Sequence, residues 1–468
     1  MMRILKKLVL GVAFLLILTA CKKTTAHQPI SINNYVEGEN MPGGETTVSV
    51  DGSLAFSSQS RNISAKDAEN FPIGNSFFKK NWVVAPASTT ARDGLGPFFN
   101  ARACAKCHTR NGRGRPPNFA SETNHGLLLR LSIPGTDQFG GTLPDPNYGD
   151  QLQDHSNQGI AGKGSFSISQ DIIAGKYSDG ITYKLLKPIY NLELANYGSA
   201  SGNIMTSPRV AQQMIGLGLL EAITDLQILN KEDEFDSDND GISGRPNYVW
   251  DKLKKKTVIG RFGWKASQPN LRQQDADAFL GDIGITTTIN PNENCISGDC
   301  KTAINGGEPE FEDSFLDVME LYTQTLAPPY RKNASDPTVL KGKQLFFDIK
   351  CASCHTSSYT TGPHKIDALS NQKIFPYTDL LLHDMGDDLA DNRPDFIANG
   401  NEWRTAPLWG IGQFKIINNH TRYLHDGRAG DIEEAVLWHG GEAQKSKDNF
   451  LKLNKEERTA IIRFLNSL

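Results

Sequence analysis

Two short stretches decide the reading of this chain: Cys104-Ala105-Lys106-Cys107-His108 and Cys351-Ala352-Ser353-Cys354-His355. Both are C-x-x-C-H, the attachment pattern of c-type haem. Two cysteines three apart at the start of a helix reach the two vinyl groups on one porphyrin edge, and the adjacent histidine swings under the iron as proximal ligand. One such motif alone is also compatible with a thioredoxin-like redox pair or with half of a zinc site. The first would need a βαβ context and the second a further ligand pair nearby, and neither is seen. The lead-ins are alike as well, Gly96-Pro97-Phe98-Phe99 before one motif and Gly342-Lys343-Gln344-Leu345-Phe346-Phe347 before the other. The expectation is two covalent haems, held by Cys104, Cys107 and His108 and by Cys351, Cys354 and His355.

A low-spin haem needs a sixth ligand, usually methionine or histidine. Met214 and Met319 sit in apolar helical patterns and read as core, whereas Met385 lies in the polar run His383-Asp384-Met385-Gly386-Asp387-Asp388 after the second motif. Met385 is therefore the expected distal ligand of the second haem, with His383, Tyr423 and His425 as substitutes. For the first haem, His125 is a candidate and an open position its competitor. Downstream, Asn454 and Glu457 have capping-box spacing, and Ile461, Leu465 and Leu468 share one helical face, as in the closing helix of a small haem fold.

Upstream, Arg3, Lys6 and Lys7 precede an apolar stretch from Leu8 to Leu18 and then Leu18-Thr19-Ala20-Cys21. This is the layout of a secretory signal ending in a lipobox-like sequence, too short to be a dependable membrane span. Residues 1–20 are the expected lipoprotein signal, Cys21 the lipid-anchored residue in a bacterial periplasm, and 21–70 a Ser/Thr/Asn/Gly-rich tether.

Asp236-Ser237-Asp238-Asn239-Asp240-Gly241 places carboxylates at alternate positions before a glycine, as calcium loops do. Asp236, Asp238 and Asp240 are the candidate ligands; the twelfth position is Asn247 rather than glutamate, and a solvated acidic turn is the alternative. Cys295 and Cys300, four residues between them, read as a structural disulfide in an oxidising compartment. The 49 basic against 53 acidic residues leave a net charge of −4, with no basic excess that would point to a nucleic-acid partner. Seven cysteines are too few for a disulfide scaffold.

Several runs resemble one known family: Asp93-Gly94-Leu95-Gly96-Pro97-Phe98-Phe99-Asn100-Ala101-Arg102, Gly112-Arg113-Gly114-Arg115-Pro116-Pro117, Ser207-Pro208-Arg209-Val210, Gly260-Arg261-Phe262-Gly263-Trp264-Lys265-Ala266, Leu381-Leu382-His383-Asp384-Met385-Gly386 and Leu424-His425-Asp426-Gly427-Arg428. They are similar to the bacterial di-haem oxidoreductases, described as peroxidases and also labelled thiol oxidoreductases. Arg404-Thr405 and His425-Asp426-Gly427-Arg428 are more distantly similar to di-haem cytochrome c peroxidases. The resemblance covers about Phe71 to Leu468. It implies two haem cofactors, reduction of hydrogen peroxide with electrons from a small periplasmic donor, and a calcium ion in some relatives.

On this reading a high-potential His355/Met385 haem feeds a peroxidatic haem on His108. The competing readings are an electron carrier without substrate chemistry and thiol redox work at Cys295 and Cys300. O–O cleavage also asks for a distal acid-base group; Glu221 is considered because it interrupts an apolar run, but no residue is assigned. The expected architecture is mainly α: two cytochrome c-like haem domains, 71–329 enlarged by a long insertion and 332–468 compact.

Overall fold

The computed structural model describes residues 35–118, 122, 126–295, 300 and 303–468. The signal stretch, Cys21 and His125 lie outside the described residues. The expected mainly α pair of cytochrome c-like domains is not what forms: about 30% of the chain is helix and 20% strand, the strand spread over several small sheets.

The strand comes from the insertion. Strand β1 (Leu127–Thr136) pairs antiparallel with β2 (Thr142–Leu143) on one side and, residue for residue from Leu127↔Val210 to Ser132↔Met205, with another strand on the other. Between them runs a hairpin of β3 (Gly164–Lys176) and β4 (Thr182–Leu194), paired from Gly164↔Leu194 to Lys176↔Thr182; the partner of β1 is β5 (Met205–Val210). The hairpin turns at Asp179-Gly180, with Gly180 at φ +86°, a conformation glycine adopts without steric cost. Its tip is docked, Tyr177 Oη donating to Glu433 at 2.7 Å and Ser178 N to the Leu451 carbonyl at 3.0 Å.

The helices form where the caps place them. Ser64 accepts from Asp67 N to start α1 (Ala65–Lys79), whose Phe71 and Phe78 stack on Tyr322. The four-residue α2 (Cys104–Cys107) is the first motif itself, and α3 (Leu271–Ala278) starts at the Asn270 cap. Helix α4 (Asp313–Thr325) carries Tyr322. Helix α5 (Pro337–Asp348) starts on Asp336 with Pro337 in its first turn. It crosses α7 (Lys455–Ser467) so closely that a Cβ on Gly342 would sit 1.9 Å from the Ala460 carbonyl oxygen. Before it, α6 (Ile432–Trp438) is capped by Asp431. The Asn454/Glu457 capping box forms, with both backbone bonds at 3.0 Å.

The core packs residues from both sides of the expected 329/332 boundary. Its largest apolar cluster joins Phe56, Ile215, Leu219 and Phe262 to Phe346, Trp409, Phe414 and Phe464. The described part of the expected tether is not strung out. Phe56 is fully buried, the Glu39 carboxylate is enclosed beside Lys343 at 2.5 Å and Arg331 at 3.4 Å, and the Pro42 carbonyl accepts from Phe375 N. Among the described residues no helix is long and apolar enough to cross a membrane.

Candidate cofactor sites

The two C-x-x-C-H motifs fold alike although one is α-helical and the other a 3-10 turn (Cys351–Ser353). In each, the histidine N–H donates back to the first cysteine's carbonyl, at 2.9 Å for His108 and 3.1 Å for His355, and the ring swings away from the turn. His108 Nδ1 lies 2.6 Å from the Gln212 carbonyl and His355 Nδ1 2.9 Å from the Tyr377 carbonyl. A carbonyl only accepts, so Nδ1 carries the proton and Nε2 presents its lone pair, as in a metal-ligating histidine. Burial lowers the proton affinity of both rings, His355 to about 4, so both are neutral at pH 7.

The four cysteines are free, and burial raises every one of their thiol pKa values, Cys107 and Cys351 to about 12. Such thiols stay protonated and are poor redox or zinc thiolates.

The first motif opens on a cavity of about 430 Å³, within the range of organic ligand pockets. Its apolar wall includes Phe78, Leu127, Val210, Met214, Trp264 and Phe279. Strands β1 and β5 supply Leu127 and Val210, and the Trp264 indole N–H is fixed on the Val210 carbonyl at 2.9 Å. The polar part includes Arg209, Arg393, Gln212 and Asp275. Arg209 Nη2, Arg393 Nε and Gln212 Nε2 are buried without a hydrogen-bond partner. Donors in that state are costly unless an acceptor joins them. A haem, with its apolar ring and two carboxylate tails, fits an apolar chamber with a histidine on its wall and spare N–H donors on two arginines that otherwise pair with Asp395.

Asp275, on α3, is buried, and desolvation pushes its carboxyl well above the usual range; it accepts a 2.8 Å hydrogen bond from Thr323 Oγ1. Nothing in Leu271–Ala278 marks it in the sequence. Glu221 is absent from the cavity lining: it accepts from Leu271 N at 2.8 Å, Gln324 Nε2 at 2.6 Å and His364 Nε2 at 3.3 Å, holding the start of α3. Met214 and Met319 are both buried and both reach the cavity wall.

Around the second motif, β6 (Leu382–Asp384) pairs with β7 (Glu402–Arg404) and brings His383 Nδ1 within 3.6 Å of Cys354 Sγ. His383 is fully committed, between Asp379 at 2.9 Å on Nε2 and Glu442 at 2.7 Å on Nδ1. Met385 is half-buried and packs against both the largest cluster and a small one formed by Leu127, Val210, Trp264 and Trp403. Three of those four also line the first cavity. Tyr423 donates to the Ile411 carbonyl at 3.1 Å, and His425 lies flat on Trp403, ring centroids 3.8 Å apart. Missed in the sequence is His439, just after α6, whose Nδ1 sits 2.7 Å from the Ala435 carbonyl.

In the acidic loop, the carboxylates that converge within 4.8 Å are those of Asp233, Asp236 and Asp238. Asp240 is outside that group and accepts from Ile242 N at 2.9 Å, while Asn247 is buried on the Lys265 and Asp395 carbonyls. Cys295 and Cys300 form the expected disulfide.

A family model described as "Di-haem oxidoreductase, putative peroxidase" matches residues 35–468. No curated protein and no solved structure matches the chain.

Proposed function

The chain belongs to the di-haem oxidoreductase family, and on that premise we propose that it is a di-haem c-type cytochrome that reduces hydrogen peroxide in the periplasm, anchored by lipid on Cys21. Thioethers at Cys104 and Cys107 and at Cys351 and Cys354 hold the two haems, with His108 and His355 as proximal ligands. Each bound haem supplies one-electron chemistry at iron, so the pair, fed at the second site by a small periplasmic donor, matches the two electrons and two protons that turn hydrogen peroxide into two waters.

The chain's own residues do the rest. The Gln212 and Tyr377 carbonyls orient the proximal imidazoles and raise their basicity. Arg209 and Arg393 offer their unpartnered N–H groups to haem carboxylates. The Leu127, Val210 and Trp264 side chains keep water out of the first cavity's wall. Asp275, whose carboxyl burial pushes up, is the acid of the cavity wall placed for a substrate that must be protonated as its O–O bond breaks.

The observation that carries the proposal is the repeated geometry: two C-x-x-C-H motifs, each with the histidine Nδ1 on a main-chain carbonyl, one opening on a cavity with spare arginine N–H donors. Intact mass and haem absorbance of the exported protein test it. Two haems per chain are expected, and one in each of the variants C104S/C107S and C351S/C354S. A parent with fewer than two covalent haems overturns the assignment.

A further inference from the structure

Three described histidines share one arrangement, a half-buried ring with Nδ1 on a main-chain carbonyl. Two are His108 and His355; the third is His439, bonded at 2.7 Å to the Ala435 carbonyl one helical turn back. The other described histidines differ. His383 and His420 use both ring nitrogens, His364 places Nε2 on Glu221, His155 points Nδ1 at the Asp154 carboxylate, and His425 is stacked flat on Trp403, its Nε2 buried without a hydrogen-bond partner 3.8 Å from Asp426.

His439 belongs to the second site by packing. A Cβ on Gly440 would stand 3.0 Å from the Met385 carbonyl oxygen and one on Gly441 only 2.3 Å from that of Asp384, so His439-Gly440-Gly441 lies directly on the end of β6. That same strand holds His383 against Cys354. Trp438, next to His439, is buried in the largest cluster with its indole N–H unpartnered, as a donor awaiting an acceptor would be. Met385, in contrast, has a packing role: its side chain fills the seam between two apolar clusters, which is what a flexible thioether does well.

We propose that His439, not Met385, is the sixth ligand of the second haem, opposite His355. The inference rests on the reading that Cys351 and Cys354 carry a haem. Its consequence is electronic: two imidazoles leave the iron at a lower potential than an imidazole and a thioether, because methionine ligation raises it. The second site then holds its electron less tightly and gives it up more readily.

The test uses the fully haem-loaded protein and three spectroscopic readings. The parent is expected to show no methionine-to-iron charge-transfer band. H439A is expected to turn the second haem from low to high spin, with added imidazole restoring low spin, while M385L keeps the parent spectrum. H439M is expected to raise the midpoint potential of that haem and create the missing band. A methionine–iron band in the parent, a low-spin second haem in H439A, or loss of low spin in M385L overturns the proposal. Haem count separates this failure from the other: a chain without haem on Cys351 and Cys354 refutes the site assignment, and a two-haem chain with an unchanged H439A spectrum refutes the ligand alone. If H439A does not fold, the parent band and M385L still decide.

Discussion

Lys265 is the fully enclosed cation of this structure whose removal has the most readable consequence. Its Nζ donates to Asp391 at 2.8 Å, to the Arg393 carbonyl at 2.8 Å and to the Asn399 carbonyl at 2.7 Å, and stands 4.5 Å from the Trp403 ring centre. Both charged side chains are out of solvent, at 0% and 1% exposure. Burial lowers the Lys265 pKa to about 8 despite Asp391, so the pair is no net bonus; the cost arises when one partner is left alone. In K265M, Asp391 loses its ammonium partner while staying out of solvent, held by Ser207 Oγ and the Arg393 main-chain N–H. Removing one partner of a buried pair costs roughly 3–5 kcal/mol, a large part of a total of about 5–15 kcal/mol. Guanidinium unfolding of the parent, K265M and K265M/D391N at pH 7 measures it, with the double variant recovering about half the loss. A K265M deficit under about 1 kcal/mol refutes the reasoning.

Three further outcomes are expected. D275N, which cannot hold an acidic proton in the cavity wall, should lower peroxide turnover about a hundredfold with both haems retained, the scale of a lost general acid; unchanged turnover removes Asp275 from the proton path. Burial first, and then the neighbouring Glu310, push the Glu293 carboxyl up, so its share of stability is complete below about pH 4 and declines as pH rises through the raised value. E293Q should therefore flatten the fall in melting temperature from pH 5 to pH 9, and a variant with the parent's slope contradicts that source. C295S/C300S opens a short loop worth about 2 kcal/mol in the chain-entropy account, and peroxide turnover should persist; its abolition would return the chemistry to those thiols.

The sequence showed what covalent chemistry forces into a fixed spacing. Cys104, Cys107, His108 and their counterparts at 351–355 are legible because a porphyrin edge dictates the interval, and the Asn454/Glu457 cap because it is local. What orients the histidines was not legible: the Gln212 and Tyr377 groups are main-chain carbonyls, which any residue supplies. His439 follows an amphipathic helix with nothing beside it to mark a ligand, and Arg209 and Arg393 meet only after β5 and the 391–399 loop pack together. Met385 looked exposed in its polar run, yet the fold brings two apolar clusters to it. The β3–β4 hairpin was readable, since Phe166-Ser167-Ile168-Ser169 alternates and Asp179-Gly180 is a hairpin turn. Of the two lead-ins, only the second is helical, within α5; Phe98–Phe99 before the first motif is a short strand. The short strands β2, β6 and β7 exist only through pairing with distant segments, which no local pattern announces.

The central claim is that the two sites work together on peroxide. Steady-state hydrogen peroxide reduction by the doubly loaded protein, with a chemically reduced small cytochrome as donor, tests it most directly when set beside H355G, which removes the proximal ligand of the second haem. The account predicts turnover in the parent and loss of at least about tenfold in H355G with haem still bound at the first site. A parent that shows two six-coordinate irons and no turnover, or an H355G variant as fast as the parent, would contradict it.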